Sequence, residues 1–234
     1  MIDLAKRSLK KELLDGNNIP FKDIVINLKE LDFINTHLGG HSITIKGFQK
    51  LLQKRKRVSL CEIGCGGGDN LRVIEKYCKK KKIYSELTGI DINNECIKYA
   101  RQAGIKNINF IVSDYKKVIF ENKKPDIIFC SLFCHHFSDE QLIEMMNWMK
   151  KNSMIGFFIN DLQRNLLAYY SIKFLTRLFS RSYLVKNDAP LSVLRGFTRN
   201  ELKTIFERSG IKNYEIKWNW AYRFLITVAT PQSI

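Results

Sequence analysis

No apolar run in the 234-residue sequence reaches the ~18 residues that a bilayer span needs. No early stretch shows the charged, apolar and cleavage regions of an export signal, so a cytoplasmic protein is expected. Six cysteines (Cys61, Cys65, Cys78, Cys96, Cys130, Cys134) contain no C-x-x-C pair, which points to a reduced compartment without a disulfide framework. Cys61, Cys65, Cys130 and Cys134 fall in predicted strands or the loops leaving them; small buried thiols are the plain reading, a soft-metal cluster the rarer one. Acidic residues are scarce, 23 against 39 basic, giving a net charge of +16. The excess is lysine-heavy, 27 Lys to 12 Arg, as genome-wide compositional bias produces, whereas phosphate readers use arginine forks as well. Nucleic acid is therefore not the expected partner. There is no internal repeat or low-complexity segment. With 45% hydrophobic and 26% charged residues, the composition suits one folded α/β domain with an elaboration or two.

The first third of the chain reads as helical. Apolar residues recur at helical spacing over Met1–Leu14, which stops at Asp15-Gly16. A second helix is predicted over Phe21–Leu38, stopped by Gly39-Gly40, and a third over Ile43–Lys54, closing in the solvated run Lys54-Arg55-Lys56-Arg57. Residues 1–57 are thus expected to form a helical cap on a domain spanning 58–234. From Val58 onward, strands alternate with helices. The predicted strands are Val58–Ile63, Glu86–Ile92, Ile108–Val112, Asp126–Ser131 and Gly156–Asn160, closed by an antiparallel pair, Tyr214–Trp218 and Phe224–Ala229. The intervening helices are Asn70–Lys80, Asn94–Ala103, Ser138–Lys151 and Thr198–Ser209, the last two opening in capping boxes. This alternation predicts a doubly wound, mostly parallel seven-stranded sheet with ligands at the strands' carboxyl ends. One segment breaks the pattern. Residues 161–197 are basic and aromatic, and would form either a lid over a substrate or a packing helix.

The chemistry-bearing residues cluster at predicted strand ends. Glu62-Ile63-Gly64-Cys65-Gly66-Gly67-Gly68-Asp69 follows a buried strand and opens a helix, so its glycines permit a tight turn and close backbone approach to a ligand. Acidic Glu62 and Asp69 flank the loop and would repel a pyrophosphate while suiting a cation. The second strand ends in Asp91, placed to accept hydrogen bonds from ribose hydroxyls. The third ends at Ser113-Asp114-Tyr115. Any one such aspartate reads equally as a cap or turn residue; three acidic strand ends in order after a glycine loop are harder to dismiss.

The stretch Val58–Phe137 resembles the cofactor half of class I S-adenosylmethionine-dependent methyltransferases, whose fold is a Rossmann-like seven-stranded sheet. The resemblance implies that Glu62, Gly64, Cys65, Gly66 and Gly68 belong to the loop against the cofactor's amino-acid part. Asp91 would bind the ribose with Ile92 beside the adenine, and Asp114 would meet the adenine amino group with Tyr115 flanking the ring. Ser131 and Leu132 would lie near the methionine, and S-adenosylhomocysteine would be the product. The role of Asp69 stays open.

Ser131-Leu132-Phe133-Cys134-His135-His136-Phe137 then puts two histidines at the sheet's mouth. An imidazole can act as a base near neutral pH, so one of His135 and His136 is expected to face the substrate. The bland alternative is that both satisfy loop backbone. No metal is expected, because adjacent histidines alone lack a carboxylate set. Asn160-Asp161-Leu162-Gln163-Arg164, Phe179–Ser182 and Asp188–Arg195 are similar to the lid region of bacterial methyltransferases acting on phenols, quinols and aromatic polyketides in secondary metabolism. That likeness implies O-methylation of a small aromatic acceptor, with C-methylation a close variant. Asp161, Arg164, Arg181 and Arg195 would contact it, although Arg195 and Asp188 could simply pair with each other. The alternatives are an RNA methyltransferase, which the charge favours but the lack of an N-P-P-Y-type sequence opposes, and a non-catalytic S-adenosylmethionine-binding protein. The basic aromatic stretch Leu162–Arg181 could also touch a membrane surface weakly. Monomer and homodimer are both open.

Overall fold

The computed structural model describes residues 4–16, 18–103, 107–120 and 123–230. Seven strands form one sheet: β1 (Arg57–Ile63), β2 (Tyr84–Asp91), β3 (Ile108–Val112), β4 (Ile127–Ser131), β5 (Gly156–Leu162), β6 (Tyr214–Asn219) and β7 (Arg223–Ala229). Their order is β3-β2-β1-β4-β5-β7-β6; only β7 runs antiparallel to its neighbours, as the terminal pair predicts. Among the described residues eight α-helices accompany them: α1 (Phe21–His37), α2 (Gly40–Leu52), α3 (Asp69–Lys80), α4 (Asn94–Gln102), α5 (Asp139–Asn152), α6 (Leu166–Phe179), α7 (Tyr183–Arg195) and α8 (Arg199–Arg208).

The central strands are continuously apolar because both sheet faces are covered. Along β4 and β5, Ile128, Cys130, Phe157 and Ile159 pack with α5 and α8 residues such as Met145 and Phe206. The alternate residues Ile127, Phe129 and Phe158 pack with Phe48 of α2 and Leu71 and Ile74 of α3. Phe129 and Phe158 stack at 4.8 Å between ring centroids. Since α2 contributes Ile43, Phe48, Leu51 and Leu52 to that second layer, it shares the sheet's core.

The strand order reverses between β2-β1 and β4, so the ends of β1 and β4 part above the sheet, where such folds bind ligands. A cavity of about 1540 Å³ opens there. Its walls come from the glycine loop, the ends of β2, β3 and β4, α1, and the paired helices α6 and α7 that fill the segment after β5.

The predicted first helix is the one clear disagreement in secondary structure. Met1–Asp3 lie outside the described residues; Leu4–Glu12 carry no helix, and only a short 3₁₀ turn forms at Leu13–Asp15. Partners far along the chain take the hydrogen bonds a helix would have made internally. Ser8 N–H donates to the Leu194 carbonyl, and Arg164 Nε and Arg195 Nη1 donate to the carbonyls of Leu4 and Lys10. Both carboxylate oxygens of Asp188 accept from Leu13 and Leu14 N–H at 2.8 and 3.0 Å. Arg7 reaches the other way, to Asp139 at 2.9 Å and the Phe137 carbonyl at 2.8 Å. The segment is a strap laid along the cavity, with Glu12, Leu14 and Asp15 in its wall.

Candidate active site

Gly64, Gly66 and Gly68 all hold positive φ (66, 49 and 72°), where β-carbons are strained. At Gly64 a β-carbon would also stand 2.2 Å from a Phe133 ring carbon. Gly64→Ala is therefore expected to displace the loop or Phe133 and to lower both the melting temperature and cofactor affinity, measurable by thermal denaturation and calorimetry; unchanged values in both would refute the packing argument. Gly68 does not line the cavity: its bare face lies against the Phe110 ring, closing α3 onto β3.

Asp91 ends β2 with one oxygen accepting from Gly66 N–H and the other from Asn93 N–H, both at 2.8 Å. Burial pushes its pKa up, against the lowering effect of those bonds. A carboxylate has acceptor capacity beyond these two bonds, and Asp91 lines the cavity. Ile92, exposed beside it, and Tyr115 line the same wall. Asp114 caps its own 3₁₀ turn, its Oδ1 accepting from Lys116 N–H at 3.0 Å, and it also lines the cavity. Leu132, left-handed at φ 53°, and Ser131 complete this side together with Cys65.

Glu62 does not line the cavity, contrary to expectation. It lies buried behind the loop, its Oε1 accepting from Asn70 Nδ2 at 3.0 Å while Oε2 has no hydrogen-bond partner among the described residues. Burial, reinforced by the charges of Asp69 and Asp91, raises its pKa well above the usual range, so the argument from its negative charge fails. Asn70 Oδ1 accepts from Thr44 Oγ1, which in turn accepts from Asn160 Nδ2; this polar ladder ties β1, α3, α2 and β5 beneath the loop. Asp69 lines the cavity and binds His41 Nε2 at 2.8 Å and Asn35 Nδ2 at 3.2 Å, fastening α1 and α2 to the loop.

The two histidines differ sharply. His135 is 3% exposed, its Nδ1 2.7 Å from Asp161 and its Nε2 3.4 Å from Glu12. Burial lowers its pKa, but the two carboxylates outweigh that and raise it to about 10. Glu12 and Asp161, penalised by burial but stabilised by the imidazolium, both fall below their ordinary values. The group is thus carboxylate, imidazolium, carboxylate at neutral pH. A raised histidine pKa contributes stability that is whole below the unfolded value of ~6.5 and lost as pH climbs through about 10. The melting-temperature lead of the wild type over His135→Gln should shrink across that window; a constant gap would contradict the assignment.

His136 lies at the cavity wall, half-buried. Its Nδ1 is 3.2–3.3 Å from Asp15, while Nε2 stands 3.8 Å from Glu12, beyond hydrogen-bond range. Glu12 is the residue that sequence reasoning missed: it touches both histidines from 123 and 124 positions away, with Ser192 Oγ donating to it at 2.6 Å.

Three of the four expected acceptor contacts do not face the cavity. Asp161 is fully engaged behind His135. Arg164 is buried in a fork to Glu201 (2.6 and 3.0 Å) and the Gly196 carbonyl. Arg181 sits on the exposed α6–α7 turn, where Glu30 takes its backbone N–H. Arg195 alone lines the cavity; it donates to the carbonyls of His135 and Lys10 and stands 3.8 Å from Asp15, not paired with Asp188. All six cysteines are free and buried; Cys130 and Cys134 sulfurs lie 3.4 Å apart.

The sheet order, the glycine loop and the acidic strand ends define a class, and comparison with known proteins agrees. Residues 60–152 match the methyltransferase domain family. The structure superposes on the plantazolicin methyltransferase BpumL in complex with S-adenosylhomocysteine, with a TM-score of 0.64 at 20% identity over 88% of this chain and 87% of that one. A methyltransferase from Aquifex aeolicus gives 0.62 at 19% identity over 91% and 99%. Among curated sequences, the mitochondrial ubiquinone biosynthesis O-methyltransferase of Saccharomyces cerevisiae is 26% identical over 131 residues, 53% of this chain but only 40% of that protein. Residues 60–152 thus carry a methyltransferase domain, and the chain has the Rossmann-like fold of S-adenosylmethionine-dependent methyltransferases.

Proposed function

We propose that the enzyme methylates the hydroxyl of a small aromatic acceptor (a phenol, quinol or polyketide), with His136 as the base. The observation that carries this reading is the tautomer the site imposes. Asp15 on Nδ1 leaves the Nε2 lone pair of His136 unbonded in the cavity, the arrangement a base needs to take a hydroxyl proton. Glu12 and Asp15 are placed to stabilise the imidazolium that results, while His135, already charged, holds Glu12 in place. Apolar side chains along the acceptor side (Leu14, Phe133, Phe137, Ile172, Val193) suit an aromatic body.

The cofactor fits the opposite end. Asp91 would hold the ribose, the Gly64–Gly67 loop the amino-acid part, and Asp114 with Ile92 the adenine. When bound, S-adenosylmethionine supplies an electrophilic methyl group; the chain's own residues orient the acceptor and remove its proton. Transfer of labelled methyl to a panel of phenols, quinols, primary amines and RNA tests the reading. Incorporation into hydroxyl acceptors is expected, and transfer confined to amines or RNA would overturn it.

A further inference from the structure

We propose that α6 and the β6–β7 turn dock this enzyme on an anionic lipid bilayer, with the cavity mouth facing the membrane. The proposal does not depend on the acceptor's identity.

Helix α6 turns its small contact face inward through Ala168, Tyr169, Ile172 and Thr176 and leaves large apolar side chains outside. Leu167, Tyr170, Phe174 and Leu178 fall on one outward stripe at spacings of three, four and four residues; Phe174 is 65% and Leu178 61% exposed. Phe179, at 73%, extends it into the α6–α7 turn. At 3.6 residues per turn, Lys173 and Arg177 lie along one flank of the stripe, and Ser171 and Leu175, which line the cavity, lie along the other. The end of β6 adds Trp218 and the β6–β7 turn Trp220, the latter 64% exposed, and both also line the cavity. The apolar surface therefore borders the opening of the site.

Charge selects the occupant. No acidic residue occurs between Asp161 and Asp188, whereas Lys173, Arg177, Arg181 and Lys186 in that interval are all exposed. Two copies of such a face would repel each other, and an acidic surface would attract it. Aromatic and aliphatic side chains flanked by Lys and Arg are the composition that lies in the headgroup layer, where aromatic rings and long cationic stems find both apolar and polar surroundings. A lipophilic acceptor partitioned in the bilayer could then reach the mouth without crossing water.

The test is cosedimentation of the full chain with vesicles of mixed phosphatidylglycerol and phosphatidylcholine, against phosphatidylcholine alone, with tryptophan emission as a second readout. Binding to the anionic vesicles that weakens with salt is expected, with a blue shift from Trp218 and Trp220. Lys173→Gln with Arg177→Gln should weaken partitioning about 30-fold, from ~1 kcal/mol per basic residue at the surface. Phe174→Ser with Leu178→Ser should abolish the blue shift. None of these four residues lines the cavity, so cofactor affinity should be unchanged in both variants, which also confirms folding. No sedimentation at low salt, equal binding by both variants, or a concentration-dependent dimer dissolved by Leu178→Ser would each overturn the proposal, the last by showing a self-contact.

Discussion

Asp91→Ala is expected to weaken binding of S-adenosylmethionine and S-adenosylhomocysteine by about 10²–10⁴-fold, read by calorimetry on ligand-stripped protein. Hydrogen bonds from a charged acceptor contribute ~1.5–3 kcal/mol each, and the two carboxylate oxygens at the end of β2 are placed to accept one ribose hydroxyl apiece. The loss has a second source. Asp91 also accepts the Gly66 N–H, so the alanine frees the loop whose left-handed glycines shape the rest of the site. Asp91→Asn, which keeps the size but not the charge, should fall between. Burial holds the Asp91 pKa above the ordinary carboxylate value, so affinity should also begin to fail at a higher pH than a free carboxylate would dictate as the solution is acidified. An unaltered heat of binding in the alanine variant would contradict the assignment of β2's end to the ribose.

The second large effect is expected where His136 meets the strap. His136→Ala should lower turnover by about 10²–10⁴-fold, the usual loss on removing a general base, with cofactor affinity preserved. Glu12→Gln acts differently. It removes one of two carboxylates from His135, whose pKa should fall from about 10; NMR titration of the imidazole reads that shift directly. Turnover should drop as well, because Glu12 stands beside His136. If Glu12→Gln lowers turnover without moving the His135 titration, the residue acts only through packing. Full activity in His136→Ala would place the base elsewhere.

The parts of this protein legible in its sequence are those with local causes. Buried strands such as Ile127–Ser131 declare themselves because both faces need apolar residues, and α5 and α8 because their capping boxes are written in four consecutive residues. The glycine loop and the aspartates at the ends of β2 and β3 follow from the same local grammar, and all but Glu62 and Gly68 of the expected cofactor residues do line the cavity. What failed depended on distant partners. The spacing of Met1–Leu14 favours a helix, but Asp188, Arg164 and Arg195, more than 150 positions away, claim its backbone. Arginines read as acceptor contacts find Glu201 or main-chain carbonyls instead. Nothing near Glu12 distinguishes it from a surface glutamate; only the folded chain puts it against His135.

The polar ladder beneath the glycine loop has a consequence for how far a substitution can be felt. Thr44 touches no wall of the cavity, yet its hydroxyl joins Asn70 to Asn160, and through them the roots of β1 and β5. A valine there would keep the shape and sever the link, leaving the buried Asn70 Oδ1 without its donor while Asn160 Nδ2 keeps the Gly40 carbonyl and Ser131 Oγ. Loosening at the cofactor's seat would then originate in a helix that lies outside the strand–helix alternation altogether.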